Sequence, residues 1–127
     1  MSIQQARADL MAALTNDAGW STFDFPPPIP QADSVVFEPD DPYIVASNAK
    51  VSLDAKLRGR VRIYVRLLDN ASNLDQIENI AAQVRRLMLE SVWNVGDLSQ
   101  PQALDLESGP LLTAYFPIEV LTEWPSE

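Results

Sequence analysis

Residues 58–66 read RGRVRIYVR. Successive side chains of an extended strand face opposite sides of the sheet. Arg58, Arg60, Arg62, Tyr64 and Arg66 therefore share one face, and Val61, Ile63, Val65 and the following Leu67 share the other. Apolar and polar residues alternate at period two, as a half-buried strand requires. The segment is a strand with a core face and a guanidinium face.

That basic ribbon lies in an acidic chain of 127 residues with a formal net charge of −9. Residues 1–49 hold one basic and seven acidic residues, residues 50–66 six basic and one acidic, and residues 67–127 two basic and ten acidic. Basic character is thus confined to one segment. An acidic whole disfavours free nucleic-acid binding, because affinity for phosphate backbones comes largely from summed positive potential.

Upstream of the ribbon, Ser2 and Gln5 read as a capping box, and Ile3, Ala6, Leu10, Ala13 and Leu14 form one helical stripe that should stop before Gly19. Trp20 to Phe25 has the aromatic content of a short strand. It is closed by PPPIP at 26–30, an extended polyproline connection lacking the amide donors of a central strand. A compact strand is predicted at 34–39 (SVVFEP), followed by a loop or irregular crossing over 40–50. Downstream, Ser72 and Asp75 read as a second capping box, and Leu74, Ile77, Ile80, Ala81, Val84, Leu87 and Met88 lay down a second helical stripe. Arg85 and Arg86 fall in its last turn, where cations complement the helix dipole. Residues 91–124 read as two strands joined at Ser108, Gly109 and Pro110, with Leu112, Ala114, Phe116, Ile118 and Val120 facing the core. Tyr43, Trp20, Trp93 and Trp124 are expected in the core.

This order predicts an α/β fold of the α+β type: a single, mostly antiparallel or mixed β-sheet with two main helices packed on one face. Neither an internal repeat nor a low-complexity tract interrupts residues 1–127, which are read as one domain. No apolar run approaches the roughly 18 residues of a membrane span, and the N-terminus has no signal-like pattern, so a soluble protein made in the cytosol is expected.

The chain has no cysteine and no histidine. Disulfides and thiolate metal sites are excluded, and the commonest general base and metal ligand is missing. The four glycines are isolated, so no phosphate loop is present, and the two lysines show no Ser-x-x-Lys spacing. Carboxylate pairs at Asp40 and Asp41 and at Asp105 and Glu107 have the right ligand type for a hard cation. A solvated turn and a polar sheet face account for them more simply. No catalytic, cofactor or metal residue is assigned, and a non-enzyme is expected.

Three readings fit the guanidinium face. It is a solvated surface with each Arg paired to a cross-strand acid such as Glu119; or a nucleic-acid contact with Tyr64 as a stacking platform; or a subunit interface, at which Arg58, Arg60, Arg62, Tyr64 and Arg66 meet an acidic surface on another copy of the chain. The third is favoured, because a sheet face left uncovered by helices needs a partner.

The run from Pro26 to Ile44, PPPIPQADSVVFEPDDPYI, with its P-x-D-P-Y turn at Pro39, Asp40, Asp41, Pro42 and Tyr43, resembles the tail terminator proteins of long-tailed phages of actinobacteria. Asp40 stands where members often carry glycine. The N-terminal helix, the long Val- and Arg-rich strand, the helix after an Asn-rich turn, the Trp near 93 and the two-strand finish follow the same layout. The resemblance implies a structural virion protein at the head-proximal end of the tail. It would form a homo-hexameric ring that caps the tail tube, stops its polymerisation and offers a docking surface to the head-tail neck or stopper protein. Genomic DNA would pass through the lumen without specific binding. The loop Pro39 to Tyr43 would contact neighbours. Another neck component, such as a head-tail stopper or head completion protein, is the alternative, and the neighbouring genes would separate the two.

Overall fold

The computed structural model of the chain describes residues 2–15, 19–46, 54–67 and 70–124, with the backbone alone at 70–72. The elements run α1 (Ile3–Leu14), β1 (Ser21–Phe23), β2 (Ser34–Ala46), β3 (Asp54–Arg66), α2 (Asn70–Leu89), β4 (Asn94–Val95), β5 (Gln102–Leu106) and β6 (Gly109–Glu123). They form a six-stranded sheet in the order β1-β2-β3-β6-β4, with β5 paired to the other half of β6. All pairings are antiparallel except β1 with β2, which is parallel. This is the mixed α+β sheet predicted from the alternation and the hairpin-length connections.

The central pair is β3 with β6, in register from Asp54 opposite Glu123 to Arg66 opposite Leu111. Its inward residues Leu57, Val61, Ile63, Val65, Ala114, Phe116, Ile118 and Val120 are all buried, as their alternation requires. Over them lie Ile3, Ala6, Leu10 and Leu14 of α1 and Ile77, Ile80, Ala81, Val84 and Met88 of α2. The Ser2–Gln5 capping box forms in both directions, 2.9 and 3.1 Å, and satisfies two amide donors at the start of α1.

Several boundaries move. Helix α2 begins at Asn70, so Ser72 lies inside its first turn instead of capping it. Leu74 is 42 % exposed and Asn73 buried, because the buried row runs 73, 77, 80, 81, 84, 88. The crossing expected at 40–50 is strand as far as Ala46; residues 47–50 lie outside the described residues. The prolines are tolerated because β1 covers only Ser34 to Val36, leaving the outer edge of β2 without a partner strand from Phe37 onward among the described residues. The ladder to β3 breaks after Pro39 opposite Gly59 and resumes at Ile44 opposite Leu57, so Asp40 to Tyr43 bulge against the single residue Arg58. The Asp41–Pro42 peptide is cis.

Trp20 and Trp93 are buried, Tyr43 is half-buried against the core, and Trp124 is 37 % exposed at the end of β6, outside the core expected for it. The face of the sheet away from the helices is not bare throughout. At one end Val36, Tyr64 and Leu111 form a second apolar cluster, covered by Phe23, Leu104 and Leu106. No helix among the described residues is long and apolar enough to cross a membrane.

Candidate functional site

The outer face of β3 carries the guanidinium row. Antiparallel pairing sets Glu38 of β2 opposite Arg60, and on the other side Pro117 and Tyr115 of β6 opposite Arg60 and Arg62. The arginines lean diagonally across this lattice. Arg62 Nε donates to both carboxylate oxygens of Glu38 at 3.0 Å, and its Nη1 donates to the Thr113 hydroxyl at 3.3 Å. Arg60 Nη2 meets one oxygen of Asp40 at 3.2 Å and Arg58 Nη2 the other at 3.3 Å, while Arg58 Nη1 donates to the Pro42 carbonyl at 3.2 Å. The ring of Tyr115 lies against both Arg60 and Arg62, each guanidinium carbon 4.9 Å from its centroid.

These contacts close a ladder of three guanidiniums and two carboxylates within one chain. Asp40 follows Pro39, the last residue in register before the bulge, and its two oxygens reach Arg58 and Arg60, one each. Burial by itself would raise the Asp40 pKa. The amide of Asp41, which donates to Asp40 at 2.8 Å, and the charges of Arg60 and Arg58 outweigh it, so the carboxyl titrates below its ordinary value. With both its oxygens engaged by guanidiniums, Asp40 is not a free cation ligand, and Glu107 lies in the turn beyond β5 instead of sharing a strand face with Asp105. No cluster of three or more acids able to hold a metal occurs among the described residues.

The five residues of the expected face therefore divide. Arg58, Arg60 and Arg62 find their acids inside the chain, on β2 and not at Glu119, which sits 3.8 Å from Lys56. Tyr64 is buried in the second apolar cluster and presents no stacking platform. Arg66 is exposed, and no acid stands within ion-pairing distance of it among the described residues. Asp40 and Pro42 of the Pro39–Tyr43 segment are anchored to Arg58, and Tyr43 packs its ring 6.4 Å from Phe37. The acids of the ladder were not anticipated. Their signal was present: Glu38-x-Asp40 repeats at the same spacing as Arg58-x-Arg60-x-Arg62.

No protein-family model matches the chain, and no curated protein matches it in sequence. Its fold is similar to that of a protein from the virion of a native gene transfer agent particle, with a TM-score of 0.62 and 18% sequence identity. The superposition covers 95% of this chain and 97% of the other. At that identity the likeness is one of fold.

Proposed function

We propose that the chain is a structural virion protein of a tailed phage or phage-like particle: a tail terminator whose ring caps the head-proximal end of the tail tube, stops its polymerisation and receives the neck or stopper protein. The carrying observation is the end-to-end fold shared with a protein of the gene transfer agent virion. A chain of this size built into such a particle acts through its surfaces, and the chemistry of this one agrees. It has neither histidine nor cysteine, and its one concentrated set of charges is spent on fixing β2 against β3.

The open edge of β2 at the Pro39–Tyr43 bulge is the surface this reading offers to a neighbour. Prolines and a bulge prevent the edge from templating indefinite strand addition, a property a polymer-stopping subunit needs. The acidic balance of −9 gives a ring lumen with little affinity for the phosphates of passing DNA.

Light scattering behind a sizing column, at low and high salt, followed by mixing with growing tail tubes, tests the reading. The expected outcome is a closed ring of about six chains in the resemblance-based reading, or a monomer that becomes one on a tube, with tube growth halted. Tubes that elongate unchanged in its presence would overturn it, and binding to a portal assembly instead would assign the chain to the neck.

A further inference from the structure

The outer sheet face has two unsatisfied ends. At one, a groove runs between the proline crossing and the β5–β6 turn, walled by Ile29, Pro30, Ser108 and Pro110 with Arg66 on its floor. Ile29 is 63 % exposed, and Arg66 is the cation of this face that has no acid among the described residues. At the other end β6 finishes in Leu121, Thr122, Glu123 and Trp124. Leu121 is 72 % exposed, and Glu123, on the same side of the strand about 7 Å away, is exposed and makes no ion pair among the described residues. Val45 lies in the same row as Leu121, with Lys56 between them.

We infer that these two ends are halves of one contact: the Leu121–Trp124 end of one copy seats in the Arg66 groove of the next, with Glu123 against Arg66 and Leu121 against Ile29 and Pro110. The occupant is a second copy because the halves complement each other in charge and in kind, a groove with a cation and an exposed apolar strand end with an anion, neither of them ion-paired among the described residues. The halves cannot meet within one chain, since Lys56 and Arg66, which mark them on β3, stand about 33 Å apart along the strand. Different patches on the two partners make the contact heterologous, the type that closes rings. This inference rests on the ring reading and supplies its subunit contact, narrowing the role expected of the arginine row to Arg66.

The test is charge swapping joined to cross-linking. Arg66→Glu and Glu123→Arg should each weaken self-association about tenfold or more with unchanged circular dichroism. An equimolar mixture should reassemble, because every contact in an alternating ring is again between opposite charges. In parallel, Ser108→Cys/Leu121→Cys, made in a chain without native cysteine, should give on mild oxidation a ladder of disulfide-linked species, whereas either single variant stops at a dimer. Unaltered association in both charge variants, or a double variant that stops at dimers, would overturn the contact. If wild-type protein caps tubes while no ladder forms, the contact falls and the terminator reading stands. A ladder without tube capping keeps the contact and removes that reading. If the ladder is missing but Arg66→Glu abolishes capping, the groove belongs to a tube or neck protein and the second-copy assignment fails.

Discussion

Gly59 and Phe37 face each other so closely across the β2–β3 pair that a Cβ on the glycine would lie 2.5 Å from the phenylalanine ring. The ring has no room to retreat. It is 2 % exposed, with Trp93 edge-on at 6.0 Å and Tyr43 tilted at 6.4 Å. Gly59→Ala is therefore expected to lower stability by about 1–3 kcal/mol through overpacking. A urea midpoint equal to that of the wild type would contradict the packing described.

Trp93 ties the first helix to the far end of the fold: its indole nitrogen donates to the Ala6 carbonyl at 3.0 Å from a buried position. Trp93→Phe keeps most of the ring area and loses this bond, a cost of about 1 kcal/mol. Trp93→Ala adds a cavity and should cost about 3–5 kcal/mol. Thermal unfolding of the pair separates the two contributions, and equal losses would show that the hydrogen bond carries no share.

Two ion pairs on the same face should differ sharply in value. Arg62 and Glu38 are about four-fifths covered and share two hydrogen bonds, so Arg62→Leu strands a carboxylate and should cost about 1–3 kcal/mol. Lys56 and Glu119 stand 3.8 Å apart, each nearly half exposed, and Lys56→Leu should cost well under about 1 kcal/mol. Denaturation of both variants decides it; an equal cost would refute the ladder as a structural element. Charge reversal at Arg60 and Arg62 would bring four carboxylates together inside the chain, so such a variant reports on folding before it reports on assembly.

Asp40 makes the ladder sensitive to acid. Its folded pKa lies below the ordinary 3.8, so its contribution to stability is present above that value and is lost as pH falls through the folded one. The stability gap between wild type and Asp40→Asn should be widest near neutrality and close at pH values under 3.8. A gap that stays constant across this range would mean that Asp40 carries no charge-dependent share.

The resemblance to tail terminator proteins and the fold likeness to the gene transfer agent virion protein are independent of each other. The first rests on short motifs and on the order of elements along most of the chain, the second on the backbone path over 95% of it.

What was local was legible. Period-two alternation settled β3 and β6, helical spacing settled most of the buried row of each helix, Leu74 being the exception, and the Ser2–Gln5 cap formed where its spacing placed it. These features depend on residues a few positions apart, so a short window contains the whole cause. Where a short window misled, a distant partner was responsible. The Asp40–Tyr43 stretch has the proline and acid content of a loop, yet it is held in the sheet by Arg58, far along the chain. Tyr64 alternates with the arginines and is nevertheless buried, because Val36, Leu111 and the β5 leucines cover it.

By itself, then, the sequence determined the fold class, the two helices, the central strands and the existence of a charged face, since those follow from periodicity, while β2 beyond Pro39 and the short β4 did not. Only the tertiary structure decided what the charges do. Ion pairs depend on register between distant segments, and it is the pairing of β2 with β3 that brings Glu38 and Asp40 to three arginines of the same chain, while Arg66 has no acid within ion-pairing distance among the described residues.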